Sequence, residues 1–455
     1  MDHLTYRSPS RRTALGLLSG ALAAGAVRPA WAAAAGRVLA TPAQIEAEQS
    51  LLRLEQAPRI RALRTTLEAE LAATPKGKTA VAGARIPEAV AQWTRSAIFK
   101  VLAAEQPTPA ILWSTDDTPR TWLGRTIGGV GTAGDNPDNI YRLAYVEGGG
   151  RYEILGQVDP KARPAQFTLE IVRGDGALPT RPAAQTPGHA DMGGQVAMIT
   201  DKDLEVGPDG RFRLLLGGPE TGPNHFKLEP GPLTFGFRDT LSDWRQRPNR
   251  LALRRLDAAP PRPVDPAALE QKALDAIGPY VRFWSGFGGS WFGGLQPNAA
   301  SKPIPRDGGW GYVAGLSYRL QPDEALVVVR TRGQAAYTGF QLVDPWMIAA
   351  DARRNQVCLN LAQSAPDQDG RFTYVISPTD PGVANWLDTA GIDEGFGVIR
   401  WQGLPQGEPK APLLQDVRLV KLAEVAKLEG VRRLSPAERR AQFAARTPDY
   451  ETRLG

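Results

Sequence analysis

The stretch Asp209-Gly210-Arg211-Phe212, followed by Asn224, Leu228, Gly231, Gly236 and Arg238, returns later in the chain as Asp369-Gly370-Arg371-Phe372 with Asn385, Leu387, Gly391, Gly397 and Arg400. Asn trails the opening Asp by 15 and 16 positions, and Arg trails that Asn by 14 and 15. Upstream, Tyr141-Arg142-Leu143 and Tyr318-Arg319-Leu320 each precede an apolar strand and an F-x-L core, Phe167-Thr168-Leu169 and Phe340-Gln341-Leu342. Self-similarity on this scale implies two related β domains.

The pattern around the repeat agrees. From Arg120 onward, short apolar or alternating runs such as Tyr152-Glu153-Ile154-Leu155 and Leu326-Val327-Val328-Val329 are separated by Gly, Pro, Asn and Asp. Many short strands at turn-separated spacing argue a sandwich or jelly roll. The expected fold is therefore mainly β: two jelly-roll or β-sandwich domains related by internal duplication, with N-terminal, linking and C-terminal helices.

The helices have their own signals. Thr41-Pro42 is an N-cap followed by proline at the first helical position. Leu51, Leu54, Ile60, Leu63, Leu67 and Leu71 recur at helical spacing, with a break at Pro58. A second helix is expected to start at Pro87, with Val90, Trp93, Ala97, Ile98 and Val101 packing on the first β domain. Pro260-Pro261-Arg262-Pro263 is a stiff linker, and a helix follows from Pro266 to about Phe283. Ser435-Pro436-Ala437-Glu438 is a capping box that opens the last helix. The plan is a signal over 1–34, helices over 35–119, a first β domain over 120–257, and linker, helix and glycine/aromatic segment over 258–295. A second β domain over 296–425 and a helical tail over 426–455 complete it.

Trp284-Ser285-Gly286-Phe287-Gly288-Gly289-Ser290-Trp291-Phe292 alternates glycine with aromatics, a pattern that argues against a regular helix. Four large aromatics on an exposed loop would make an apolar patch of a kind that proteins use for binding. The segment is expected at the junction of the two β domains, its aromatics at least half buried, either packed by the partner domain or forming a ligand platform.

At the start, Ser10-Arg11-Arg12-Thr13-Ala14-Leu15 precedes a small-residue apolar run to Ala26 and an Ala30-Trp31-Ala32 cleavage pattern. The run is too short to span a bilayer, and paired arginines before it resemble a twin-arginine signal. A periplasmic or secreted location, reached through the twin-arginine export machinery, is expected. The net charge of +6 among 455 residues drops to +3 once 1–34 are removed, too little for a nucleic-acid footprint. No later stretch reads as a transmembrane helix.

The side-chain inventory excludes much chemistry. Only His189 and His225 lie beyond the signal, so a site with two or three His ligands is barely possible. No zinc-protease, Walker, dinucleotide or nucleophile-elbow motif occurs. His225 stands where the second copy has Trp386, which favours a structural face. Cys358, the single cysteine, lies between apolar neighbours and reads as core. Asp135-Asn136-Pro137-Asp138-Asn139 offers oxygen ligands but lacks EF-hand spacing, and reads as a turn into the first strand. No cofactor is indicated.

Carboxylates, aromatics and arginines remain. Asn385-Trp386-Leu387-Asp388-Thr389, Asp393-Glu394, Arg400-Trp401 and Asp344-Pro345-Trp346 could share a rim. Paired carboxylates can serve as acid and base, and tryptophan faces suit sugar rings. Asp388 and Glu394 are the candidate catalytic pair; Trp346, Trp386, Arg400, Trp401 and Trp291 are the candidate ligand contacts. The blander reading makes Asn224 and Asn385 the start of Asx turns and the acids solvated loop residues.

Asn139-Ile140-Tyr141-Arg142, the Asp209 motif with Asn224, the segment Asn385 to Gly391 and Arg400-Trp401-Gln402 resemble bacterial proteins of the domain-of-unknown-function 1214 family, often paired with the 1254 family. The resemblance spans most of residues 120–405 and implies β-sandwich or jelly-roll domains with helical decoration. It carries over no catalytic residue. Two functions follow as expectations. One is binding or cleavage of a glycan or glycoconjugate in an aromatic- and carboxylate-lined cleft. The other is a non-enzymatic interaction or scaffold protein of the envelope, with its aromatics buried between domains.

Overall fold

A computed structural model describes residues 37–174, 194–261, 263–292, 294–306, 308–405, 409 and 411–454, without the side chains of Ser290 and Trp291. The expected export signal, His189 and the Trp291 side chain therefore lie outside the described residues. No described helix is long and apolar enough to cross a membrane.

Each half of the chain folds into two packed sheets. In the first, strands 139–147, 232–240, 166–173 and 195–200 make one sheet, extended at its edge by 112–115; 250–255, 152–157, 211–216 and 225–226 make the other. In the second, 311–319, 394–402, 337–343 and 358–360 face 414–421, 324–330, 372–377 and 386–388. Strand for strand, the order along the chain is the same in both. Even the one parallel pairing recurs, between 211–216 and 225–226 and between 372–377 and 386–388. Strand 112–115 begins the first sandwich earlier than the composition change at Arg120 indicates.

Period-two alternation fills both cores. Leu233, Phe235 and Phe237 point inward with Leu169, Ile171, Ile154 and Leu214; Ile399 and Trp401 do so with Leu316, Phe340, Val328 and Ile376. The DGRF motif is one turn built twice. Gly210 and Gly370 adopt φ of 80° and 81°, and each aspartate accepts from the arginine N–H two residues on, at 3.1 and 3.0 Å. Only glycine takes that left-handed conformation without steric cost.

The repeat also corrects its own reading. Arg238 stands opposite Tyr141 and Thr168, whereas Arg400 stands opposite Val313 and Gly339. Tyr141 is thus equivalent to Val313, not to Tyr318, and Phe340 is equivalent to Leu169. The tyrosine and F-x-L echoes fall on different rungs because apolar strands resemble one another under small shifts.

Helices α1 (Pro42–Glu55), α2 (Pro58–Ala73), α3 (Ala80–Ala104) and α4 (Pro266–Phe292) form a layer across both sandwiches. Their core includes Leu143 of the first sandwich and Val313, Val343, Trp346 and Val398 of the second, not the first domain alone. The start expected at Pro87 is wrong by seven residues. Thr79 caps α3 by accepting from the Ala82 N–H at 3.3 Å, and Pro87 sits inside the helix.

Helix α4 overturns the expected end at Phe283, since it continues through the glycine/aromatic segment. Each interior glycine costs roughly 1 kcal/mol of propensity, but burying a large apolar side chain returns about 1.5–3 kcal/mol. Trp284, Phe287 and Phe292 are all buried. The glycines admit neighbours: a Cβ at Gly288 would lie 3.1 Å from the Met347 side chain and 3.3 Å from Phe396. Helix α5 (Pro436–Thr452) begins at the expected capping box, with the Glu438 N–H donating to Ser435 at 3.3 Å.

Candidate functional site

The two sandwiches face each other through equivalent sheets. The outer sides of 394–402 and 311–319 present Val398, Arg400, Gln402 and Val313; those of 232–240 and 139–147 present Arg238, Tyr141 and Asn139. Between them, closed on one side by Trp284 and Phe287 of α4, lies a cavity of about 180 Å³.

Two connecting segments complete its wall. Residues 132–139 leave the helical layer and run along strand 337–343: the Gln341 side chain donates to the Asp135 carbonyl at 2.5 Å, and Asp138 accepts from Tyr337 at 2.7 Å. This is the Asp135–Asn139 stretch expected to be a simple turn. It ties one sandwich to the other. The second segment, residues 306 and 308–310, crosses the other way. Gln166 of the first sandwich donates to the Trp310 carbonyl at 3.0 Å, and Gly308 presses on Met198 so closely that a Cβ would sit 2.7 Å from it.

Three arginines converge on this space. Arg238 donates to Glu170 at 2.7 Å, while its Nη1 is buried with no hydrogen-bond partner. Arg400 donates to the Gln341 side chain at 2.8 Å and to the Gly134 carbonyl, both uncharged acceptors. Arg306 has no side-chain hydrogen bond and no ion pair within 4 Å among the described residues, and its Nε is buried and unpartnered. Its guanidinium stacks on Trp310, 4.4 Å from the ring centroid, with Arg238 5.2 Å from the same ring. Burial, followed by repulsion from Arg238, pushes the Arg306 pKa down to about 10. Such a cluster favours an anion, because charge-assisted bonds to arginine are strong where water is scarce.

Asp135 is the one acid among the cavity's described lining residues. It accepts from the Thr132 N–H at 2.5 Å and makes no ion pair within 4 Å. Burial pushes its pKa up to about 6, against the pull of that N–H, Lys100 and Arg400. Gln402 adds a buried, unpartnered carbonyl oxygen.

Of the residues singled out in the sequence, the candidate ligand contact Arg400 reaches this cavity, as do Arg238 and Tyr141 of the repeat, Asp135 and Asn139 of the stretch read as a turn, and Trp284 and Phe287 of the glycine/aromatic segment. The other tryptophans do not line it. Trp346 is buried against the helices, donating to the Ala82 carbonyl at 2.8 Å with its ring edge-on to Trp93. Trp386 is buried under α5, between Arg439 and Phe443. Trp401 is in the second sandwich core and donates to the Thr331 carbonyl at 2.8 Å. Asp344 pairs with Arg85 at 3.0 Å and caps Trp346.

The two expected catalytic acids are also engaged elsewhere. Asp388 caps the Ala390 N–H at 2.8 Å, and burial raises its pKa. Glu394 pairs with Arg319 at 2.8 Å. Neither lines the cavity. Cys358 is buried core, its thiol pushed up to about 12 by burial. Among the described residues, no group of three or more His, Cys, Asp or Glu side chains is placed to hold a metal.

Sequence reasoning missed Arg306, Trp310 and Asp135 as site residues. The available signal was Arg306-Asp307-Gly308-Gly309-Trp310, a charged turn followed by an aromatic. Nothing in it announces that the turn docks on the other sandwich.

The sequence matches no protein-family model and no curated protein. In structure the chain is similar to an uncharacterized protein from Burkholderia cenocepacia, at 24% identity and TM-score 0.64, covering 83% of this chain and 99% of that one. A protein from Vibrio parahaemolyticus aligns at 11% identity and TM-score 0.36, over 63% of this chain and 90% of the other. The first of these shows that the fold, mainly β with several antiparallel sheets and a few helices, is shared with that protein.

Proposed function

We propose that this is an exported envelope protein that binds a small organic anion in the cavity between its sandwiches. One observation carries the reading: the Arg306 guanidinium lines a cavity beside Arg238 and Arg400, and among the described residues its side chain makes no hydrogen bond and no ion pair within 4 Å. Glu170 and Asp135 offset the repulsion among these three guanidinium groups only in part, and a bound anion would supply further negative charge. Trp284 and Phe287 provide an apolar wall for the body of such a ligand. An acidic saccharide such as a uronate would satisfy both features, which keeps a glycan ligand within this reading. Binding is favoured over cleavage, since neither Asp388 nor Glu394 lines the cavity. The paired arginines Arg11 and Arg12 before an apolar run support export.

Calorimetry on the purified protein tests this with benzenesulfonate and a uronate as anions and the parent neutral sugar as control. Both anions should bind, the neutral sugar should not, and Arg306→Ala should weaken binding about tenfold or more, the scale of one hydrogen-bonded charge. Equal binding of neutral sugar and uronate, or an unchanged Arg306→Ala, would sink the proposal.

A further inference from the structure

We propose that the cavity takes up its anion together with one proton, carried by Asp135, so that affinity is highest in mildly acidic surroundings and falls toward alkaline pH. This rests on the anion-binding reading above.

The argument begins with where Asp135 stands. A carboxylate in the wall of an arginine-lined cavity is normally consumed by an ion pair, yet Asp135 has none within 4 Å among the described residues. Its hydrogen-bonding is to backbone: the Thr132 N–H at 2.5 Å and the Ala133 N–H. An anion on Arg306 and an ionised Asp135 would therefore share the walls of one cavity of about 180 Å³. Two like charges in such a space disfavour each other, and a proton on one of them removes the conflict.

The surroundings decide which group takes that proton. Lys100 from α3, Arg238 and Arg400 from the two sheets, Tyr280 from α4 and Asp117 from the loop after strand 112–115 all act on Asp135 or are acted on by it. Glu170 holds the Arg238 pKa above the usual arginine value against the effect of burial. Burial raises the Tyr280 phenol above its usual value, and its hydroxyl is already bonded to Ser96 and Thr132 at 2.8 and 3.1 Å. Burial, then Asp135, raises Asp117, which accepts from the Ala349 N–H at 2.8 Å and does not line the cavity. Asp135 alone combines a place in the wall with a pKa pushed up to about 6.

The sign follows. Bound anion raises the Asp135 pKa further, so the complex holds more protons than the free protein. Affinity is level below about pH 6, then falls as pH rises, by at most tenfold per pH unit for a single coupled proton.

Benzenesulfonate is the probe, because its own charge is constant between pH 5 and 8. Titrating it into the purified protein at pH 7 in buffers of different ionisation enthalpy counts protons directly, without any variant. Uptake approaching one proton per anion is expected, and Asp135→Asn, which keeps an oxygen for the Thr132 N–H, should bind more tightly at pH 7.5 and lose the slope. Binding without proton uptake, or the same slope in Asp135→Asn, overturns the coupling while leaving the anion site standing. No binding at any pH overturns both.

Discussion

Arg238 and Arg400 occupy the same rung of the two sandwiches. Each is the seventh residue of a nine-residue strand, and each of those strands begins opposite the last residue of its partner, Glu147 or Arg319. Both side chains leave the outer face of their sheet, so one position of the repeated motif is used twice to line one cavity. The partners differ. Arg238 is answered by Glu170, its neighbour on 166–173, while Arg400 is answered only by uncharged oxygens. The two halves share a scaffold and have divided the charge balance between them. Arg306, from a loop of the second half, adds a third cation, with no ion pair within 4 Å among the described residues.

This division separates function from stability among the arginines. Arg306→Ala should leave the thermal midpoint unchanged or slightly raised, because among the described residues the side chain makes no hydrogen bond, and Arg238 and Arg400 repel it. Arg400→Ala should lower stability by about 1–3 kcal/mol, the cost of stranding buried acceptors on Gln341 and Gly134. Thermal melts of the two variants decide the matter. A larger loss in Arg306→Ala than in Arg400→Ala would mean that Arg306 is structural.

Buried carboxylates give the stability an unusual pH dependence. Burial pushes both Asp135 and Asp239 up to about 6, the latter despite the Arg142 beside it. A carboxyl whose folded value is raised contributes stability that is fully present below its unfolded value near 4 and lost as pH rises through about 6. Acids held low by arginine, such as Glu153 and Asp243, act in the opposite sense but only as pH falls below about 4. Lys76, lowered to about 8 by burial, titrates above this window. The protein should therefore be more stable at pH 5 than at pH 7.5, by something on the order of 2–4 kcal/mol. Chemical denaturation at the two values measures this, and equal or reversed stabilities would refute it.

Much of the fold is legible in the sequence because it rests on local rules. Period-two alternation marks the strands, Thr41 and Ser435 mark helix starts, and Gly210 and Gly370 mark one turn in duplicate. The helix through Gly286, Gly288 and Gly289 was not legible. Its propensity argues against it, and only Met347 and Phe396 packed against Gly288 explain it. The site was harder still. Arg238 and Arg400 stand in the motif, but Asp135, Arg306 and Trp310 come from a linker and a loop that meet through Gln341, Gln166 and Met198, contacts between distant parts of the chain. The tryptophans misled for a related reason. An indole is as useful for closing a core as for holding a sugar, and Trp346, Trp386 and Trp401 each close one.

The last prediction concerns the residue pair that exposed the repeat. Asn224 and Asn385 each clamp a loop about twenty residues upstream by both ends of the side-chain amide. Asn224 accepts from the Glu205 N–H at 2.8 Å and donates to its carbonyl at 2.9 Å; Asn385 does the same to Ala365, at 2.7 Å in both directions. Both main-chain carbonyls also accept from the neighbouring strand, from Leu215 at 2.8 Å and Val375 at 3.0 Å. They are thus backbone substitutes, not the local Asx turns that the sequence alone suggests. Their surroundings differ. Asn385 is buried and makes a further bond to the Thr373 carbonyl at 3.1 Å, whereas the Asn224 bonds are exposed to water. Asn385→Ala should cost about 2–3 kcal/mol, since it strands buried groups at Ala365 and Thr373. At Asn224 the φ of 56° suits glycine, so Asn224→Gly keeps the backbone relaxed and should cost less than about 1 kcal/mol. Denaturant titrations of both variants give the comparison. Equal losses would show that water does not stand in for the Asn224 amide, and a negligible loss at Asn385 would show that the clamp does not hold the second sandwich together.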